Sequence, residues 1–170
     1  MDTGRQVRNW MTSPALTVGE AALVGDVCAE MERRDLHHML VTRDGRPCGV
    51  VCSCDLSRVP SEAPVSRFMA SPLVVVLDGA DVDQAAVLLK EACVGCLPVV
   101  SESRVIGIIT RGDLRRAGAL PPLVPSHCEA CGGSHHLRVT ECDVVLCVHC
   151  REEGMADRDF SSEAELGDGD

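Results

Sequence analysis

From residue 7 to 58, apolar and polar positions follow an order that recurs without a gap 58 positions later, at 65–116. Thirteen of the 52 aligned pairs are identical, among them Met11/Met69, Ser13/Ser71, Pro14/Pro72, Val41/Val99, Gly49/Gly107, Asp55/Asp113 and Leu56/Leu114. One supersecondary unit therefore occurs twice. Each copy starts with Met-x-Ser-Pro and an extended run, Ala15–Val18 and then Leu73–Leu77. A helix follows, read from Leu23, Val27 and Met31 in the first copy and from Val82, Ala86, Leu89 and Cys93 in the second. Asp81 is placed to cap the second helix, with Gln84 as its reciprocal partner. Two strands come next, His38–Thr42 with Cys48–Cys52, and Leu97–Val100 with Val105–Thr110. Asp44-Gly45 turns the first pair, and Glu102-Ser103 serves the second less ideally. A short helix closes each unit, at Asp55–Arg58 and Asp113–Ala117.

Pro60–Pro64 links the copies, and Gly118–Ser126, with three prolines, leads out of the second. Residues 127–151 are dense in Cys and His, while 152–170 are acidic, rich in Gly and Ser, and predicted to be disordered.

Composition narrows the function. Apolar residues make up 45% of the chain, yet it holds one Trp, two Phe and no Tyr, so the core is aliphatic. Single-stranded nucleic acid needs stacking platforms that are missing here. Of the net charge of −10, residues 151–170 supply −6 through eight acids against two arginines. The remaining body is mildly acidic and repels a phosphate backbone, which argues against a nucleic-acid partner. The polar start, Met1–Trp10, lacks the apolar core of a signal peptide, and no apolar run is longer than five residues, the length of Leu73–Leu77. The expectation is a cytoplasmic protein with no membrane partner, whose eleven cysteines serve metal, packing or redox roles.

The three motifs Met69-Ala-Ser-Pro72, Leu97-Pro-Val-Val100 and Gly107-Ile-Ile-Thr-Arg-Gly-Asp-Leu114 occur in fixed order. Met11-Thr-Ser-Pro14, Met39-Leu-Val41 and Gly49-Val-Val-Cys-Ser-Cys-Asp-Leu56 match them in the first copy. Over roughly residues 5–117 the chain resembles a pair of CBS domains, the Bateman module. The implied fold is mixed α+β/α/β: tandem β-α-β-β-α repeats at 5–59 and 65–117, a zinc-ribbon-like appendage at 127–151, and the tail at 152–170. The resemblance implies a regulatory, non-enzymatic module that binds an adenosine-containing ligand such as ATP, ADP or AMP between its repeats. It also implies a homodimer.

The nucleotide-binding candidates are Thr110, Asp113 and Asp55. Gly107 would let backbone approach the ligand. Thr110 would present a hydroxyl and a backbone N–H, and Asp113 would open the helix and accept both ribose hydroxyls. The first copy keeps Asp55 but has Cys52 in place of the Thr, and a thiol is a weak donor and acceptor. Ser53 is one position off and, on a strand, faces the other way. One competent site per chain is expected. Arg111, Arg115, Arg116, His37 and His38 are candidates to meet phosphates, although any of them can equally be a solvated side chain. Asp113 can also simply cap a helix, and many such pairs are packing devices that bind no ligand.

Cys128-Glu-Ala-Cys131 and Cys147-Val-His-Cys150 have the spacing of a structural Zn²⁺ site, each pair turning two thiolates toward one ion. So short a segment cannot build its own core, so metal would supply its folding free energy. A rubredoxin-like iron site is the rival. Cys142, His127, His135, His136 and His149 are substitute ligands. A site closed by four thiolates reads as structural, and its acidic surroundings favour an unknown protein partner. Two further readings stand beside the nucleotide sensor: a ligand-free dimerisation or interaction module, and a cysteine-based redox or metal sensor using Cys52, Cys54, Cys93 and Cys96.

Overall fold

The computed structural model describes residues 3–140 and 144–152. The first repeat contributes β1 (Thr17–Gly19), α1 (Val24–Arg34), β2 (His38–Arg43), β3 (Arg46–Cys52) and α2 (Ser53–Leu56). The second contributes β4 (Val76–Leu77), α3 (Val82–Glu91), β5 (Cys96–Ser101), β6 (Arg104–Thr110) and α4 (Arg111–Arg116). Each forms a three-stranded sheet in chain order, the first pair parallel and the second antiparallel. Even the register shift recurs, between Val41 and Thr42 and between Val99 and Val100. This is the mixed α/β tandem fold that the repeat pattern implies.

Local chemistry explains the boundaries. Asp81 Oδ1 accepts from the N–H of Asp83 at 2.8 Å and Gln84 Oε1 from the N–H of Asp81 at 3.0 Å, so α3 begins at the expected capping box. The helix ends before Cys93, which is exposed and left-handed at φ 51° and so lies outside the apolar stripe. Its repeat counterpart Asp35 has φ 55° and ends α1 the same way. Both hairpins turn on two consecutive residues with positive φ, Asp44-Gly45 and Glu102-Ser103. The closing helices start two residues earlier than expected, at Ser53 and Arg111, because residue 52 or 110 occupies the N-cap.

The sequence repeats are not closed structural units, because their first segments are exchanged. Val7 lies in the core of the second repeat with Val76, Val82, Leu97 and Leu114. Val65 lies in the first with Val24, Met31, Val51 and Leu56. The N–H of Val7 donates to Ala80 O and that of Val65 to Ala22 O, each at 2.9 Å. Thr12 then bonds Ile108 in both directions at 2.9 and 3.0 Å, and Ala70 bonds Val50 at 2.8 and 3.1 Å. Burying one Val side chain stabilises by about 1.5–3 kcal/mol, so each repeat depends on the other's start. The exchange corrects the role expected of Gly107. A Cβ there would lie 2.6 Å from Thr12 O, and one on Gly49 would lie 2.4 Å from Met69 Sδ. These glycines admit the incoming segment of the other repeat; close approach to a ligand is not what requires them.

Beyond the proline-rich stretch, β7 (Leu137–Val139) pairs antiparallel with β8 (Val145–Cys147), and α5 (Val148–Glu152) follows. A small core forms from Leu146 and three cysteines, with Leu137 and Val144 against it. The acidic tail expected to be disordered lies outside the described residues apart from Glu152, and Cys142 lies outside them as well.

Candidate functional site

The ends of β3 and β6 deliver the two motif regions. In the second repeat, Thr110 caps α4. Its N–H and its hydroxyl both donate to Asp113 Oδ2, at 2.8 and 2.7 Å, and the N–H of Asp113 returns to Thr110 Oγ1 at 3.3 Å. Arg116 donates to Asp113 Oδ1. Asp113 is 3% exposed and so is held where few charges survive without such partners. It is the third residue of the helix rather than its opener, and the Thr110 groups expected to face a ligand are engaged by its carboxylate. In the first repeat, Cys52 occupies the equivalent N-cap without a side-chain cap bond, and Asp55 is half-buried in α2. Ser53 opens α2 rather than ending a strand, and its hydroxyl lies 3.3 Å from His37 Nδ1.

Both motifs reach the seam between the repeats. His38 pairs with Cys52 in the first sheet, and Cys96 pairs with Thr110 in the second. Backbone bonds tie Ser53 N to His37 O at 2.9 Å and Arg111 N to Gly95 O at 3.3 Å. His38 crosses the seam: a Cβ on Gly95 would lie 2.8 Å from its Nε2. Burial, aided by His37 and Arg111 and opposed by Asp113, lowers the His38 pKa to about 4, so the ring is neutral at pH 7. Across the same seam, burial and the neighbouring Cys52 and Asp55 push the Cys96 thiol well above its ordinary range. His38 Nε2 and Arg111 Nε are buried with no hydrogen-bond partner among the described residues. The expected phosphate contacts thus divide. His38 and Arg111 belong to the seam, whereas Arg116 is spent on Asp113.

The redox candidates do not converge as a set. Cys93 is exposed with its Sγ 3.6 Å from Lys90 O, whereas Cys96 is buried at the seam near Cys52.

The four ribbon cysteines do converge. The Sγ atoms of Cys128, Cys131, Cys147 and Cys150 all lie within 4.8 Å of one another, and Cys131 to Cys147 is 3.8 Å. Four thiolates around one ion at about 2.3 Å imply sulfur–sulfur separations of about 3.8 Å, so the set fits a tetrahedral metal. Gly132 is left-handed at φ 73°, and a Cβ on Gly133 would lie 3.4 Å from Cys131 Sγ, so the glycines permit the turn. Burial raises the Cys128 thiol, but hydrogen bonds from the backbone at Cys147, Cys131 and Ala130 overcome it and bring it down to about 6. The same crowding pushes Cys150 up: burial first, then its three thiol neighbours. Four sulfurs this close cannot all ionise without a cation between them. Among the described residues no His joins the group.

The comparisons fit this architecture. The CBS domain model matches residues 7–62 and again 65–120. The chain belongs to the CBS domain family. The crystal structure of CBSX2 in complex with AMP is 28% identical, with TM-score 0.58, covering 68% of this chain and 96% of that one. The cytosolic domain of the Mg²⁺ channel MgtE, in complex with ATP, is 27% identical, also with TM-score 0.58, covering 66% of this chain and 48% of that one. A curated relative, the A-adding tRNA nucleotidyltransferase of Aquifex aeolicus, is 24% identical over 116 residues. The chain spans 14% of that enzyme's length. Among the described residues no helix is long and apolar enough to cross a membrane.

Proposed function

We propose that the CBS pair is a non-enzymatic, cytoplasmic regulatory module that senses an adenine nucleotide, AMP, ADP or ATP, through one site per chain. Thr110 and Asp113 provide that site, and Asp55 is the weaker counterpart. The observation that carries the reading is the asymmetry of the two motifs at the seam. Thr110 and Asp113 form a complete, pre-ordered hydroxyl–carboxylate pair, whereas the first repeat has a thiol that caps nothing. The AMP bound by CBSX2 supports the choice of ligand. In this reading the ribose hydroxyls replace Arg116 on Asp113 Oδ1, and His38 and Arg111 line the approach. Binding shifts the relative packing of the exchanged repeats, or of two protomers in a homodimer.

The repeats occupy 5–59 and 65–117, and 127–151 forms a zinc ribbon that contacts a protein partner. Cys128, Cys131, Cys147 and Cys150 hold one Zn²⁺ as a structural ion, which supplies the charge that lets four crowded thiolates, three of them buried, coexist. Calorimetric titration of the zinc-loaded full chain with AMP, ADP and ATP tests the sensor. Saturable binding near one per chain is expected for at least one of them. Absence of binding for all three would contradict it. That outcome would support a second reading, a ligand-free interaction module, which is favoured by the full engagement of the Asp113 carboxylate in its helix cap.

A further inference from the structure

A cleft of about 510 Å³ lies between the first repeat and the ribbon, lined by Arg58, Arg138, Val148, Arg151 and Glu152. The three guanidinium groups come from three separate stretches: Arg58 just beyond α2, Arg138 in β7 and Arg151 in α5. Among the described residues that line it, three positive charges stand against one carboxylate, in a chain of net charge −10. Arg58 also donates to the backbone oxygen of Arg151, so one wall of the cleft is tied to the other. The side chains of Arg138 and Arg151 are exposed and form no ion pair among the described residues. Their donors are therefore available to a ligand, and repulsion among the three is relieved when an anion enters.

We propose that this cleft binds a phosphate-class anion carrying more than one phosphoryl group, either free or as the phosphates of a nucleotide. Guanidinium forks match phosphate oxygens in pairs, and three of them suit several adjacent charged oxygens better than a single carboxylate. The volume falls in the range of small-ligand sites and exceeds what one phosphate fills. The half-exposed Val148, at 40%, leaves an apolar wall beside the charges. A ligand here touches the ribbon together with Arg58, three residues after Asp55 and just beyond α2. It clamps the ribbon onto the first repeat and makes the ribbon's position depend on the anion. This site is separate from Thr110 and Asp113.

The test is a titration of the zinc-loaded full chain with pyrophosphate, ATP and adenosine. Pyrophosphate is expected to bind saturably at about one per chain and to weaken as salt rises. Arg138→Ala and Arg151→Ala should each weaken it at least tenfold with zinc content unchanged, and Arg138→Lys should weaken it less. Asp113→Ala should leave it intact. If a nucleotide is the natural source, ATP shows a component that depends on Arg138 and that adenosine lacks. If the source is a free anion, only pyrophosphate shows it. No pyrophosphate binding, binding indifferent to both arginine replacements, or binding lost with Asp113→Ala would overturn the proposal.

Discussion

Asp113 Oδ2 holds the helix cap, while Oδ1 faces Arg116, whose side chain is 66% exposed. An ion pair with a partner that open contributes about 0–1 kcal/mol, so a ribose hydroxyl can displace it at little cost. Cys52 stands at the equivalent cap and makes no such bond. Cys52→Thr should therefore raise stability by about 0.5–2 kcal/mol through a new N-cap, measured by urea unfolding. It should also move calorimetric stoichiometry from one nucleotide toward two per chain. An unchanged stoichiometry with a gained cap would mean that something other than the hydroxyl closes the first cleft. His38 carries a pH signature. Its pKa falls from 6.5 to about 4 on folding, so between those values the unfolded chain binds more protons. Its stabilising contribution is complete above pH 6.5 and is lost as pH drops toward 4, by up to about 3 kcal/mol. Wild type should lose more stability than His38→Leu between pH 7 and 4.5. Equal losses would place the acid sensitivity elsewhere.

At the scale of elements, Gly107 and Gly49 decide whether the exchanged segments fit. A side chain on Gly107 meets the backbone at Thr12 O, whereas on Gly49 the shortest contact is the flexible Met69 sulfur. Gly107→Ala should therefore cost more than Gly49→Ala, both in the range of about 1–3 kcal/mol for overpacking. The reverse order, by chemical denaturation, would contradict the assignment of these glycines to the exchange. Strand and helix types were legible because hydrophobic period and turn residues are local. The capping box at Asp81, the hairpin at Asp44-Gly45 and the duplicated helices all followed from spacing. The exchange was not legible, because repeat alignment says what Val7 and Val65 resemble and not which core receives them. The start of α4 was misplaced for a similar reason. Thr110-x-x-Asp113 has capping-box spacing, which puts the N-cap at Thr110 and makes Asp113 the third residue of the helix rather than its first.

For the whole molecule, the convergence of the four ribbon thiols was legible in paired Cys-x-x-Cys spacing. The Arg58, Arg138 and Arg151 cleft was not, since its residues are scattered along an acidic chain and only the docking of the ribbon assembles them. Elemental analysis should give about one zinc and little iron per chain, and Cys147→Ser should lower it. Chelation should open residues 127–150 to protease while leaving 5–117 folded, because each repeat core is complete without the ribbon. Protection of the ribbon without metal would contradict a structural ion. Binding of one nucleotide at the second motif is tested by titrating the nucleotide that binds wild type into Asp113→Ala and Asp55→Ala, with folding of both checked first. Affinity should fall by about 1–3 kcal/mol for Asp113→Ala, the worth of a charge-assisted hydrogen bond, and change little for Asp55→Ala. Binding that survives Asp113→Ala and disappears with Asp55→Ala would contradict it.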